Sequence, residues 1–157
     1  MKSLTWIIAL MGIAFFTACD ESVDPEEQLE IDKALIQEYT VTEGIDGGFF
    51  TDSGLFVLIE DEGEGLDTDT PELSSIVEIV YTGTLLDGSQ FDSSDGFPVQ
   101  FQVFRLIQGW QEGLTYFPRG SSGTLIVPSR LGYGPGGTSG IPGNAVLRFD
   151  IEMLDFQ

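Results

Sequence analysis

Four short blocks gather the aromatic and acidic side chains that could line a site. They are Val80-Tyr81-Thr82-Gly83, Phe91-Asp92-Ser93-Ser94, Gly109-Trp110-Gln111-Glu112-Gly113 and, near the end, Ile141-Pro142-Gly143-Asn144-Ala145. The chain has no histidine. That excludes Ser-His-Asp and Cys-His catalysis and leaves zinc without its usual nitrogen ligand. Its one cysteine, Cys19, cannot form an intrachain disulfide. Asp67 and Asp69 lack the spaced ligands and closing glutamate of an EF-hand and read as solvated loop carboxylates, so no metal site is expected. The chemistry left open must run without a histidine relay, a cysteine nucleophile or a bound metal.

The elements that must carry these blocks follow from periodicity. Asp24 can cap a helix, Pro25 fits its first position and Glu26-Glu27 suit the positive end of its dipole. Ile31, Ala34, Leu35 and Tyr39 then share one face at helical spacing, with Gly44 and Gly47-Gly48 as breaks. Beyond Asp52 the pattern becomes that of strands. Leu55 to Ile59 is an apolar run, Glu60 to Glu72 an acidic loop, and Val77, Ile79 and Tyr81 alternate with Glu78. Asp87-Gly88 signals a turn. Leu106 to Tyr116 reads as a short amphipathic helix holding Trp110. In the last strand Ala145, Leu147, Phe149, Ile151 and Met153 fall on one face, and Arg148, Asp150 and Glu152 on the other. The helix around Trp110 is the natural cover for that apolar face. The fold class is α+β: a twisted antiparallel sheet curled around a short helix, preceded by an amphipathic helix.

In their order and approximate spacing, the four blocks resemble FKBP-type peptidyl-prolyl cis/trans isomerases over roughly Ser53 to Phe156. The resemblance implies isomerisation of X-Pro bonds in proline-containing polypeptides, with no cofactor. Carried over residue by residue, it assigns catalytic places to Tyr81, Asp92, Tyr133 and Phe149. Phe91, Val99, Leu106, Ile107, Trp110 and Ile141 become substrate-binding positions. Trp110 would floor the pocket, while the Tyr133 hydroxyl and the Ile107 amide would donate to substrate carbonyls. Asp92 would orient its neighbours, since an ionised carboxylate cannot donate a hydrogen bond. The chain departs from the family pattern in places. Val99 stands where a pocket phenylalanine often lies, Phe104 and Gly143 replace a common glycine and a frequent second proline, and no arginine is placed to pair with Asp92. The glycine-rich Pro135 to Gly140 lacks a bulky apolar residue before Ile141, so its loop should make fewer substrate contacts. Macrolide inhibitors are ligands the family implies.

Trp110 and Phe149 would equally suit a plain hydrophobic core, because strand parity fits both roles. Two alternatives to an enzyme therefore stay open: a module that holds proline-containing segments with little catalysis, and a lipoprotein whose fold supports assembly.

Bulk properties bear on address and partners. With 157 residues, the chain suits one compact domain and a processed or flexible end. Lys2, the apolar run Leu4 to Phe16 and Phe16-Thr17-Ala18-Cys19 resemble a bacterial lipoprotein signal peptide and lipobox. That resemblance makes Cys19 the acylated first residue of the mature protein. It divides the chain into signal peptide (1–18), acidic tether (19–28), N-terminal helix and linker (29–52) and isomerase-like domain (53–157). The domain would be lipid-anchored in the cell envelope, outside the cytoplasm. A formal charge of −20 repels phosphate backbones and makes nucleic acid a poor candidate partner, so none is expected. The acidity serves either solubility or the steering of basic clients, the latter weakening with salt.

Overall fold

The computed structural model describes residues 23–63 and 69–157. The expected signal peptide, Cys19, the first four residues of the expected tether (19–22) and Asp67 therefore lie outside the described residues.

Helix α1 spans Pro25–Thr42, starting within the stretch expected to be tether. The start is the one the local signals predict: Asp24 Oδ1 accepts from the Glu26 N–H at 2.9 Å, and Pro25 occupies the first turn. The buried face also differs from the expected stripe. Leu29, Asp32, Ile36 and Thr40 point inward, while Ile31 and Leu35 are exposed. A carboxylate decides the orientation. Asp32 is fully buried, and its oxygens accept from Ser129 N–H at 2.8 Å, Ser129 Oγ–H at 2.6 Å and Gln28 Nε2–H at 2.8 Å. Three donors offset the cost of burying the charge, so Asp32 takes an inward place that composition alone would assign to a hydrophobe.

Seven strands follow among the described residues: β1 Phe49–Phe50, β2 Phe56–Asp61, β3 Ile76–Leu85, β4 Gln90–Ser93, β5 Val99–Gln102, β6 Ser122–Val127 and β7 Leu147–Phe156. All pairings are antiparallel, in the order β1-β2-β6-β7-β3-β4. The outer edge of β3 is shared. β4 pairs with Thr82 to Thr84, and β5 with Ile76 to Ile79. A tight turn through Ser94 to Pro98 joins the two short strands, closed by Phe97 N–H donating to Ser94 O, with Asp95 at φ 53.

Helix α2, Gln108–Gly113, runs on into a 3-10 turn at Leu114–Tyr116 and covers one face of the sheet. Its close seating explains Gly109 and Gly113, one turn apart. A Cβ on either would collide with Val127 or Leu125 of β6. Between α2 and the sheet lies the main core, built from Val77 and Ile79 of β3, Leu125 and Val127 of β6, and Leu147, Ile151 and Met153 of β7. In β3 and β7 this is the alternation the sequence predicts; the β6 contribution was not read from it. The intervening residue Ile126 faces the other side, where Ile36 of α1 packs with Phe56 and Val146. The sheet is thus covered by α2 on one face and by α1 on part of the other.

Candidate active site in an aromatic cavity

Where α2 meets β3 and β7, the core opens into a cavity of about 320 Å³. That is the lower end of the range for small-ligand sites. It is lined by Tyr81, Phe91, Asp92, Phe101, Arg105, Leu106, Ile107, Trp110, Tyr133 and Phe149. Strand parity delivers Tyr81 from β3 and Phe149 from β7, and helix α2 delivers Trp110.

The rings meet edge to face around the indole. Phe149 stands 5.0 Å from Trp110 at 85°, Tyr81 5.2 Å at 89° and Phe101 6.2 Å at 86°. Phe91 in turn meets Phe149 at 5.6 Å. Trp110 and Phe149 are each only 4% exposed, yet both line the cavity. The choice between core and pocket dissolves, because the floor of the cavity is the top of the core. Gly83 makes the wall possible. A Cβ there would lie 2.8 Å from the Phe91 ring and 3.0 Å from that of Phe149.

Polar groups are few. Tyr81 donates its hydroxyl to Asp92 Oδ2 at 2.8 Å, and the Ser93 N–H donates to Asp92 Oδ1 at 2.9 Å. Burial, then the hydrogen bond to Asp92 and its negative charge, push the Tyr81 phenol well above its usual pKa. Tyr81 therefore stays a neutral donor and fixes the carboxylate. Ile107 precedes α2 in an extended conformation, with φ −60 and ψ 154. Its N–H finds no acceptor among the described residues. Its carbonyl accepts from Trp110 and Gln111, so the peptide unit is held while its donor stays free. Tyr133, 41% exposed, stands at the rim after the 3-10 turn Ser129–Leu131.

Two positions expected in the pocket lie outside its lining. Val99 and Phe101 share a face of β5, but only the longer Phe101 ring reaches Tyr81, at 6.0 Å, and Trp110. Phe101 supplies the phenyl wall that Val99 was expected to lack. Ile141 is 6% exposed and belongs to the main core, its backbone paired both ways with Thr138. None of Pro135 to Gly140 lines the cavity. Sequence reasoning also missed Arg105, which lines the cavity without pairing Asp92.

A curled antiparallel sheet, a short covering helix and an aromatic cup holding one carboxylate and a free backbone donor define an FKBP-like domain. The comparisons agree. The family model for FKBP-type peptidyl-prolyl cis-trans isomerase matches residues 67–154, and the chain belongs to that family. It is 45% identical over 106 residues to the FKBP-type peptidyl-prolyl cis-trans isomerase FkpA of Aeromonas hydrophila, a match covering 66% of this chain and 38% of that one. To FkpA of Buchnera aphidicola subsp. Schizaphis graminum it is 37% identical over 134 residues, 84% of this chain and 51% of the relative. The chain thus spans about half, or less, of the length of these relatives. Among solved structures, FkpA from Escherichia coli superposes with a TM-score of 0.70 at 35% identity, covering 84% of this chain and 62% of that chain. A peptidyl-prolyl cis-trans isomerase from Pseudomonas syringae gives 0.71 at 26% identity, over 86% and 97% of the two chains.

Proposed function

We propose that this protein is a peptidyl-prolyl cis/trans isomerase acting on X-Pro bonds of exported polypeptides. The observation that carries the reading is the apolar cup around Trp110, with Ile107 N–H held open beside it. The barrier of roughly 18–20 kcal/mol to peptide rotation comes from amide resonance. Twisting the C–N bond removes that resonance and leaves a less polar amide. A dry aromatic site therefore favours the twisted over the planar form, which is the differential binding that catalysis requires.

In this reading the proline ring lies on the Trp110 indole between Tyr81, Phe91, Phe101 and Phe149. Ile107 N–H and Tyr133 O–H hold substrate carbonyls. Asp92, fixed by Tyr81, sets the field at the rotating amide and donates nothing. Macrolide inhibitors are candidate ligands of the same cup.

The lipobox-like Phe16-Thr17-Ala18-Cys19 supports acylation of Cys19 and attachment to the cell envelope outside the cytoplasm. Incorporation of labelled fatty acid that disappears in Cys19→Ser tests the anchor; labelling that persists refutes it. The activity is tested by cis-to-trans relaxation of a Leu-Pro peptide. The reading expects acceleration by wild type and at least tenfold less by Phe149→Ala, of the order of one lost site contact. Peptide binding without acceleration would make the protein a proline-segment binder instead.

A further inference from the structure

Five basic side chains fall among the described residues, and four are engaged. Lys33 pairs with Glu30, Arg119 with Asp155, Arg130 with Glu26 and Arg148 with Asp150. Arg105 is the exception: it is exposed and makes no ion pair among the described residues. In a chain of net charge −20, carboxylates are the commonest charged neighbours an arginine can find. The one described cation left unpaired stands in the wall of the substrate cavity.

Resting on the isomerase reading, we propose that Arg105 is a specificity-determining residue that selects segments carrying a carboxylate side chain next to the proline. Three observations support this. Arg105 lies two residues before Ile107, whose free N–H is the donor for a substrate carbonyl. A substrate backbone bound there carries neighbouring side chains about 3.8 Å per residue further along, within reach of a guanidinium. Its guanidinium carbon also sits 5.5 Å from the Phe104 ring centroid, a cation–π contact that limits its wandering. Finally, Asp92 does not occupy Arg105. Its oxygens are held by Tyr81 O–H and Ser93 N–H instead.

Arg105 therefore opposes the field of the whole molecule over short range. The acidic surface favours basic clients at a distance, while the cavity wall favours an acidic residue beside the proline, within a Debye length of about 8–10 Å.

The test is kcat/KM of the full-length protein for peptides with Glu, Gln or Lys on either side of proline, at low and high salt. For wild type at low salt, a ratio of Glu to Lys peptide of about two to five is expected, the span of a solvent-exposed ion pair. The ratio should fall towards one at high salt and in Arg105→Gln, and invert in Arg105→Glu. Using the ratio within each variant cancels any general loss of activity. The same Glu-to-Lys ratio in wild type and Arg105→Gln would overturn the proposal. If wild type turns over none of the peptides, the isomerase reading fails separately. Calorimetric affinities of the same peptides for wild type and Arg105→Gln then decide the role of Arg105 by the same ratio.

Discussion

Tyr81→Phe removes one oxygen and leaves the ring that packs on Trp110. The hydroxyl donates to Asp92 Oδ2 at 2.8 Å from a side chain only 8% exposed. A hydrogen bond to a charged group contributes about 1.5–3 kcal/mol, and solvent access to the exposed Asp92 reduces that to about 1–2 kcal/mol. At neutral pH the variant should be less stable by that amount. The pH dependence gives a sharper signature. Burial and Asp92 raise the phenol's pKa in the folded protein, while in the unfolded chain it stays near its usual value of about 10. A raised folded pKa means that the contribution is complete below about pH 10 and is lost as pH climbs from there towards the folded value. At pH 11 the unfolded phenol alone is ionised, which lowers wild-type stability by about 1 kcal/mol after allowing for solvent on the open side of the cavity. Phe at this position escapes that loss, so the gap between the proteins should close by about that amount between pH 9 and pH 11. Guanidinium unfolding of both proteins across that range measures it. The other tyrosines affect both proteins alike and cancel. Parallel stability curves above pH 10 would refute the placement of this hydroxyl against the carboxylate.

Three further outcomes follow from contacts. Gly83→Ala places a Cβ 2.8 Å from the Phe91 ring and should cost about 1–3 kcal/mol in urea unfolding, with slower peptide relaxation as the aromatic wall shifts. Asp32→Ala strands Ser129, 1% exposed, and should cost about 2–4 kcal/mol, with amide exchange accelerated along Pro25–Thr42. Phe101→Ala should weaken binding of a Leu-Pro peptide about fivefold, the worth of its edge contacts, whereas Val99→Ala should change it by less than about twofold in calorimetry.

How much of this was legible in the sequence depended on whether a residue's role was written in its own period. Leu147, Phe149, Ile151 and Met153 alternate strictly, so both the strand and its buried face could be read without coordinates. Trp110 sat in a short amphipathic stretch with one apolar sheet face to cover, so its meeting with Phe149 followed. Helix α1 was readable as a helix but not in its orientation. A periodicity argument assumes charge faces water, and the reason Asp32 does not is Ser129, 97 residues away. Val99 and Phe101 share parity, so the pattern could not rank them; only side-chain reach separates a core valine from a pocket phenylalanine. Arg105 carried no signal at all, because an unpaired arginine is informative only once the partners of the others are known.

The floor of the cavity shows why core and site could not be separated here. The Trp110 Nε1–H is buried and has no acceptor among the described residues. Leaving such a donor unmet costs about 1–3 kcal/mol, and folded proteins seldom tolerate it without cause. The surrounding rings supply the cause. Tyr81, Phe101 and Phe149 all stand nearly perpendicular to the indole, so it is enclosed by aromatic edges and faces and not by polar groups. Those rings keep the surroundings of the indole apolar, and on the proposed reading an apolar floor favours an amide that has lost its resonance.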